Sequence, residues 1–151
     1  MISPQSRKSA GILLFLLPTV IYRRRQYPYF PRLGSPYAAN RLRQDLWRAG
    51  NAHAGVLLLL SLIVFLYLDH AALPSRAKTF VRIAVPTAAF LLSLGFFLSV
   101  LTPDASDPND MIYFAYPGAL ILAEGLIVLG IGLIRIRTGT VQVESPKPLQ
   151  E

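Results

Sequence analysis

The sequence predicts an all-α membrane protein with four transmembrane helices and an interfacial amphipathic helix before the second span. The chain has 151 residues, of which 53% are hydrophobic and 15% charged, whereas charged residues make up about 25% of a soluble domain. The apolar residues are gathered in long runs, and these runs lack the alternation of barrel strands. Because only helices and closed barrels satisfy the backbone in lipid, each run is a predicted helix.

The first predicted span covers residues 9–25. Its apolar run, residues 10–22, is about 13 residues long, so it reaches ~20 Å into a hydrocarbon core of ~30 Å. A secretory signal peptide is the alternative, but no small-residue cleavage motif follows the run. Arg23, Arg24 and Arg25 follow instead, and such side chains reach the interface from a short span.

Residues 36–48 predict an amphipathic helix that lies in the membrane interface. Ser35 is a suitable N-cap, and Pro36 suits the first helical position. Arginines occupy the other faces of this helix, and Trp47 near its end is typical of a membrane interface. A solvated loop helix is the alternative. The apolar face consists of Ala38, Leu42, Leu46 and Ala49.

The remaining predicted spans cover residues 49–68, 80–101 and 111–134. Each is close to the ~20 apolar residues that cross a bilayer. Short polar connections separate them, and a polar tail with two prolines follows at residues 138–151. We expect one four-helix transmembrane domain over residues 1–137 and a disordered tail.

Charge and composition exclude several kinds of chemistry. The net charge is +7, but the cations flank the apolar runs, which indicates contact with anionic lipid headgroups and not with nucleic acid. The chain has no cysteine, so zinc–thiolate sites are excluded. His53 and His70 are predicted ~26 Å apart along one helix, too far to ligate one metal ion within a chain. We predict no metal site and no catalytic residue.

Glu124 is the residue that most strongly indicates a site, because it lies near the middle of the fourth span. A carboxylate at that depth costs roughly 2.5–3.5 kcal/mol, so it normally faces other helices, a partner or a cavity. Glu124 is either a proton-linked or ligand-binding group or the donor of one structural hydrogen bond. Small residues around it predict close helix packing; they are Ala115, Ala119, Ala123, Gly118 and Gly125.

A second candidate site lies where the second span begins. The sequence there is Arg-Ala-Gly-Asn-Ala-His-Ala-Gly, which places Arg48, Asn51 and His53 among very small residues. Such neighbours leave room for a ligand or for a close helix. The alternative is an interfacial histidine with access to water.

This motif resembles a family of bacterial four-helix integral membrane proteins with no assigned activity, in which a histidine stands at the position of Asn51. The apolar run of residues 10–22 and the stretch at residues 95–99 fit the same family. The resemblance implies four membrane helices and a bacterial inner membrane. Separately, residues 116–124 are similar to the glutamate-bearing helix of small multidrug resistance transporters, whose carboxylate exchanges protons for cationic drugs. That helix is the first of four in those proteins and the last here.

These observations give three hypotheses for function. In the first, the chain is a small multi-pass inner-membrane protein, non-enzymatic, that acts through helix contacts with itself or with a membrane partner. In the second, it is a proton-coupled carrier of a small molecule that uses Glu124. In the third, it is a haem- or quinone-binding subunit of a membrane oxidoreductase, with His53 as a contact.

Overall fold

The computed structural model describes residues 2–26, 40–102 and 104–135, and every regular element in these ranges is helical. A 3-10 turn at Asp110–Phe114 leads into the last helix. The predicted polar tail and the predicted start of the interfacial helix lie outside the described residues. The helices are α1 at Pro4–Gln26, α2 at Arg41–Leu68, α3 at Ser75–Leu98 and α4 at Ala115–Ile134.

Three helical segments are long and apolar enough to cross a membrane. They confirm the prediction of an all-helical membrane protein. α1 is not among the three, because charged residues occur near both of its ends, around a shorter apolar centre. The segments are Arg41–Leu68, Ser75–Leu98 and Asp110–Ile134.

The structure places no break between the predicted interfacial helix and the second span. α2 begins after Asn40, whose side chain accepts a hydrogen bond from the backbone nitrogen of Arg43 at 3.1 Å, and it continues for 28 residues. Residues 41–48 are therefore the first turns of the spanning helix and not a separate element. No proline interrupts them, and Gly50 lies within the helix, where the ring of Phe97 packs against it.

The helices pack in an antiparallel order with α3 in the centre. α2 and α4 each pack along α3, and α1 packs on α2. The end of α4 closes on the link between α2 and α3, where the backbone nitrogen of Ala72 donates to the carbonyl of Gly132 at 2.7 Å. The main buried cluster joins all four helices through Leu13, Phe65, Val85 and Leu129. α4 therefore has one side against α3 and one side directed away from the bundle.

Glycines allow α4 to approach α3 closely. A Cβ atom at Gly118 would lie 3.1 Å from the backbone nitrogen of Leu92, and one at Gly125 would lie 3.4 Å from the Cβ atom of Ala84. Gly132 is likewise buried against Leu73. Since these glycines recur every seventh residue, they form one continuous line along the buried side of α4.

Gly118→Leu should destabilise the bundle by about 1–3 kcal/mol, because the new side chain must displace α3. Gly55→Leu is the matched control, since nothing lies within 4 Å of a Cβ atom built at Gly55. Thermal unfolding in detergent, followed by circular dichroism, compares the two. Equal unfolding temperatures for the two variants would contradict this packing.

Candidate functional site

Glu124 lies on the outside of the helical bundle. It is the tenth residue of α4, which has 20 residues, so it sits ~15 Å from each end of the helix. Its side chain is exposed, and no residue in the described ranges hydrogen-bonds to it or pairs with it. The structure therefore places a carboxyl group halfway along α4, on a surface that the other described helices leave uncovered.

Glu124 belongs to a regular row of residues on this surface, which we call the outer seam. Its members are separated alternately by three and four residues, and all of them are exposed. Leu120 and Ile127, the neighbours of Glu124 in the row, are 65% and 61% exposed. The outer seam consists of Pro117, Leu120, Glu124, Ile127, Ile131 and Ile134.

The buried side of α4 carries a second row with the same alternation of four and three residues. This inner seam packs against α3 and the link before it. It consists of Gly118, Leu122, Gly125, Leu129 and Gly132. α4 thus has two rows of residues with the same spacing. The inner seam packs against α3, whereas the outer seam is exposed.

The five small residues that the sequence predicted as helix-packing positions lie on two different sides of α4. Gly118 and Gly125 are buried against α3, and Ala115 lies 3.3 Å from a Cβ atom built at Gly95. Ala119 and Ala123 are exposed instead. Ala119 and Ala123 therefore do not pack on α3, and their role in helix packing stays a prediction.

The second candidate site is built from side chains that bind their own helix. Nδ1 of His53 lies 2.8 Å from the carbonyl oxygen of Ala49, and Nδ2 of Asn51 donates to the carbonyl of Trp47 at 2.8 Å. Arg48 is exposed and pairs with Asp45 at 3.2 Å.

The hydrogen bond to Ala49 fixes the tautomer of His53. A carbonyl oxygen only accepts, so Nδ1 carries the proton and Nε2 has the lone pair when the ring is neutral. The ring packs against Phe96, with 4.8 Å between the ring centroids. A histidine held in this way can bind one further group through Nε2. Within the described residues, no cluster of three histidine or carboxylate side chains suits a metal ion.

A buried polar junction, which the sequence did not indicate, joins three helices at one end of the bundle. Asp69 follows α2, and its Oδ2 accepts a hydrogen bond from the backbone nitrogen of Ser3 at 2.8 Å. Arg82 of α3 lies 3.8 Å from the other carboxylate oxygen and donates to Gln5 and Ser6, both at 3.2 Å. The junction fixes the start of α1 to the end of α2 and the start of α3.

The environment of Asp69 lowers its pKa below the ordinary value. Burial raises the pKa, but the backbone hydrogen bond from Ser3, the hydroxyl groups of Ser6 and Ser3, and the charge of Arg82 together outweigh burial. The side chains of Arg82 and Asp69 are only 12% and 9% exposed. The ionised carboxylate is thus the form that holds this junction together.

Comparison of the chain with protein-family models, curated proteins and solved structures gives no match. We therefore infer function from the geometry of the outer seam and the two polar regions.

Asp69→Asn should destabilise the protein by roughly 1–2 kcal/mol at neutral pH, because Arg82 loses a charged acceptor. The stabilisation by Asp69 is present above the pKa of the unfolded chain, ~3.9, and is lost as pH falls through the lower pKa of the folded state. The difference in unfolding free energy between wild type and Asp69→Asn should therefore shrink below about pH 4. Thermal unfolding between neutral pH and pH 3 measures it.

Asp45→Asn is the control for this experiment. Asp45 and Arg48 form an exposed pair, with 58% and 69% of their side chains accessible, so their pairing contributes under ~1 kcal/mol. The role given to the junction would be contradicted if Asp45→Asn lowered the stability of the protein as much as Asp69→Asn does. It would also be contradicted if the stability lost in Asp69→Asn were the same at every pH.

Proposed function

We infer that this chain is a multi-pass protein of the bacterial inner membrane that performs no chemistry of its own and acts through contact between α4 and another transmembrane helix. The observation that carries this proposal is the exposed position of Glu124 in the middle of the outer seam. An exposed carboxyl group at that depth faces either lipid or another protein.

Energetics favour protein over lipid at this surface. Exposure of an ionisable group to hydrocarbon costs several kcal/mol, whereas a hydrogen bond across a helix pair in a membrane contributes about 0.6–2 kcal/mol. A second helix both removes the carboxyl from lipid and supplies its hydrogen-bond partner. The large apolar residues on either side of Glu124 provide the packing surface for such a helix.

The same position weakens the carrier alternative for a single chain. A carrier needs its proton-binding group in a cavity that opens alternately to the two sides of the membrane. Glu124 points away from α2 and α3, so the described helices enclose no such cavity around it. The haem or quinone alternative depends on His53 and stays a prediction.

We also propose that α1 crosses the membrane, which gives the four-helix topology predicted above. α1 has 23 residues, or ~34 Å of helix, which matches the hydrocarbon thickness. The polar junction fixes its start beside the end of α2, and α1 packs along α2. Arg7 and Lys8 near one end can then contact the anionic headgroups of one leaflet.

Glu124→Leu should dissociate the complex that wild-type protein forms, because leucine cannot donate or accept a hydrogen bond. Glu124→Gln should retain most of the complex, since an amide does both. Native mass spectrometry of protein released gently from its own membrane gives the mass of the assembly. Asp45→Asn, which removes an acidic group outside the apolar stretch, is the control. A wild-type protein of single-chain mass, or a complex that persists in Glu124→Leu, would contradict the proposal.

A further inference from the structure

We propose that the outer seam of α4 binds the same seam of a second copy of this chain, in a parallel two-fold pair that places the two Glu124 carboxyl groups against each other. This inference rests on the proposed function and identifies the partner. It is carried by three properties of the seam: its spacing, its central carboxyl group and its lack of any cation.

The spacing of the seam is that of a left-handed helix pair. Its residues recur at alternating intervals of three and four, which is the 3.5-residue period of a heptad seam. Pro117, Glu124 and Ile131 occupy one heptad position, and Leu120, Ile127 and Ile134 occupy the other. The same intervals on the opposite side of α4 already mediate its packing on α3. The outer seam therefore has the spacing of a helix-pair surface, but none of the described helices packs on it.

The central carboxyl group selects a second copy as that helix. A protonated carboxyl has one donor and further acceptor capacity. A second carboxyl at the same depth supplies both groups in return. A two-fold pair is isologous, so each residue near the axis faces its own counterpart. Glu124 of a second copy thus arrives at the same depth with the matching groups.

No lysine or arginine of the described helices lies at the depth of Glu124. α4 contains none before Arg135, and those of α2 and α3 all lie at or before Arg48 and Arg82, near the starts of the helices. Arg82 is also engaged by Asp69, Gln5 and Ser6. Pairing with a cation would need a different protein, which the experiment below detects.

A polar residue at one heptad position also fixes the register. In parallel helix pairs a single polar side chain in the apolar seam specifies alignment and the number of strands, at some expense in stability. The leucine and isoleucines of the outer seam would pack in several registers, but only one register brings the two Glu124 side chains together. The carboxyl pair therefore determines which dimer forms.

The chain has no cysteine, so single cysteines report contacts without background. Leu120→Cys and Ile127→Cys place thiols at the heptad position nearest the partner helix, one on each side of Glu124. Phe90→Cys is the matched control, because Phe90 is 64% exposed on α3, outside the seam. Oxidation in native membranes should link Leu120→Cys and Ile127→Cys into dimers and leave Phe90→Cys as monomer. Addition of Glu124→Leu to the seam cysteines should abolish the dimer.

The possible outcomes separate this inference from the proposed function. If the seam cysteines give no more dimer than Phe90→Cys while wild type still forms a complex that Glu124→Leu dissociates, the partner is a different protein and this inference is wrong. If there is neither a dimer nor a complex, both proposals are wrong. Dimer at Phe90→Cys equal to that at the seam would mean random collision and would also overturn the inference.

Discussion

Hydrocarbon offers no hydrogen bonds, and this constraint governs almost every polar group in the bundle. The helices satisfy their own backbones, and polar side chains within them bond one turn back: Ser61 donates to the carbonyl of Leu57 and Ser93 to that of Ala89, both at 2.7 Å. His53 follows the same rule with Ala49. Glu124 departs from it, because none of the described residues satisfies its carboxyl group.

Close packing explains why Glu124 points outward. Gly118, Gly125 and Gly132 let α4 lie against α3 with little space between the backbones. That contact fixes the rotation of α4 about its axis, so the outer seam on the opposite side of the helix faces away from α3. The polar junction of Asp69 and Arg82 holds the opposite side of the bundle, where it attaches α1 to α2 and α3. The packing of α4 on α3 through the inner seam thus leaves the outer seam uncovered by the described helices.

The sequence predicted where the apolar helices end to within about three residues, but the first three helices begin at least five residues before the predicted starts. Long apolar runs have few alternatives to a helix in a membrane, whereas their polar flanks do not show where the helix begins. The separate interfacial helix was not found, since Trp47 and Arg48 continue into α2 without a residue that stops a helix. Amphipathic character does not by itself end a helix. The boundary predicted after residue 48 therefore has no counterpart in the structure.

The sequence predicted Glu124 near the middle of the last apolar run, but it did not predict the exposed row of residues to which Glu124 belongs. α4 is apolar on all sides, so no polar face shows which spacing is in use, and the alanines at 119 and 123 suggested a packing face that points away from α3. The polar junction was missed for a different reason. Asp69 and Ser3 are 66 residues apart, and Arg82 and Gln5 are 77 apart, so only the folded chain shows that they meet.

If another helix covers the outer seam, as we propose, this surface is shielded from lipid, and its shielding can be measured. Nitroxide labels on single cysteines in the cysteine-free chain report collisions with oxygen dissolved in the bilayer. A covered seam predicts lower oxygen accessibility at Leu120 and Ile127 than at Phe90, and recovery of accessibility when Glu124→Leu is added. Equal accessibility at all three positions in the otherwise wild-type chain would mean that the seam faces lipid, and would contradict the account.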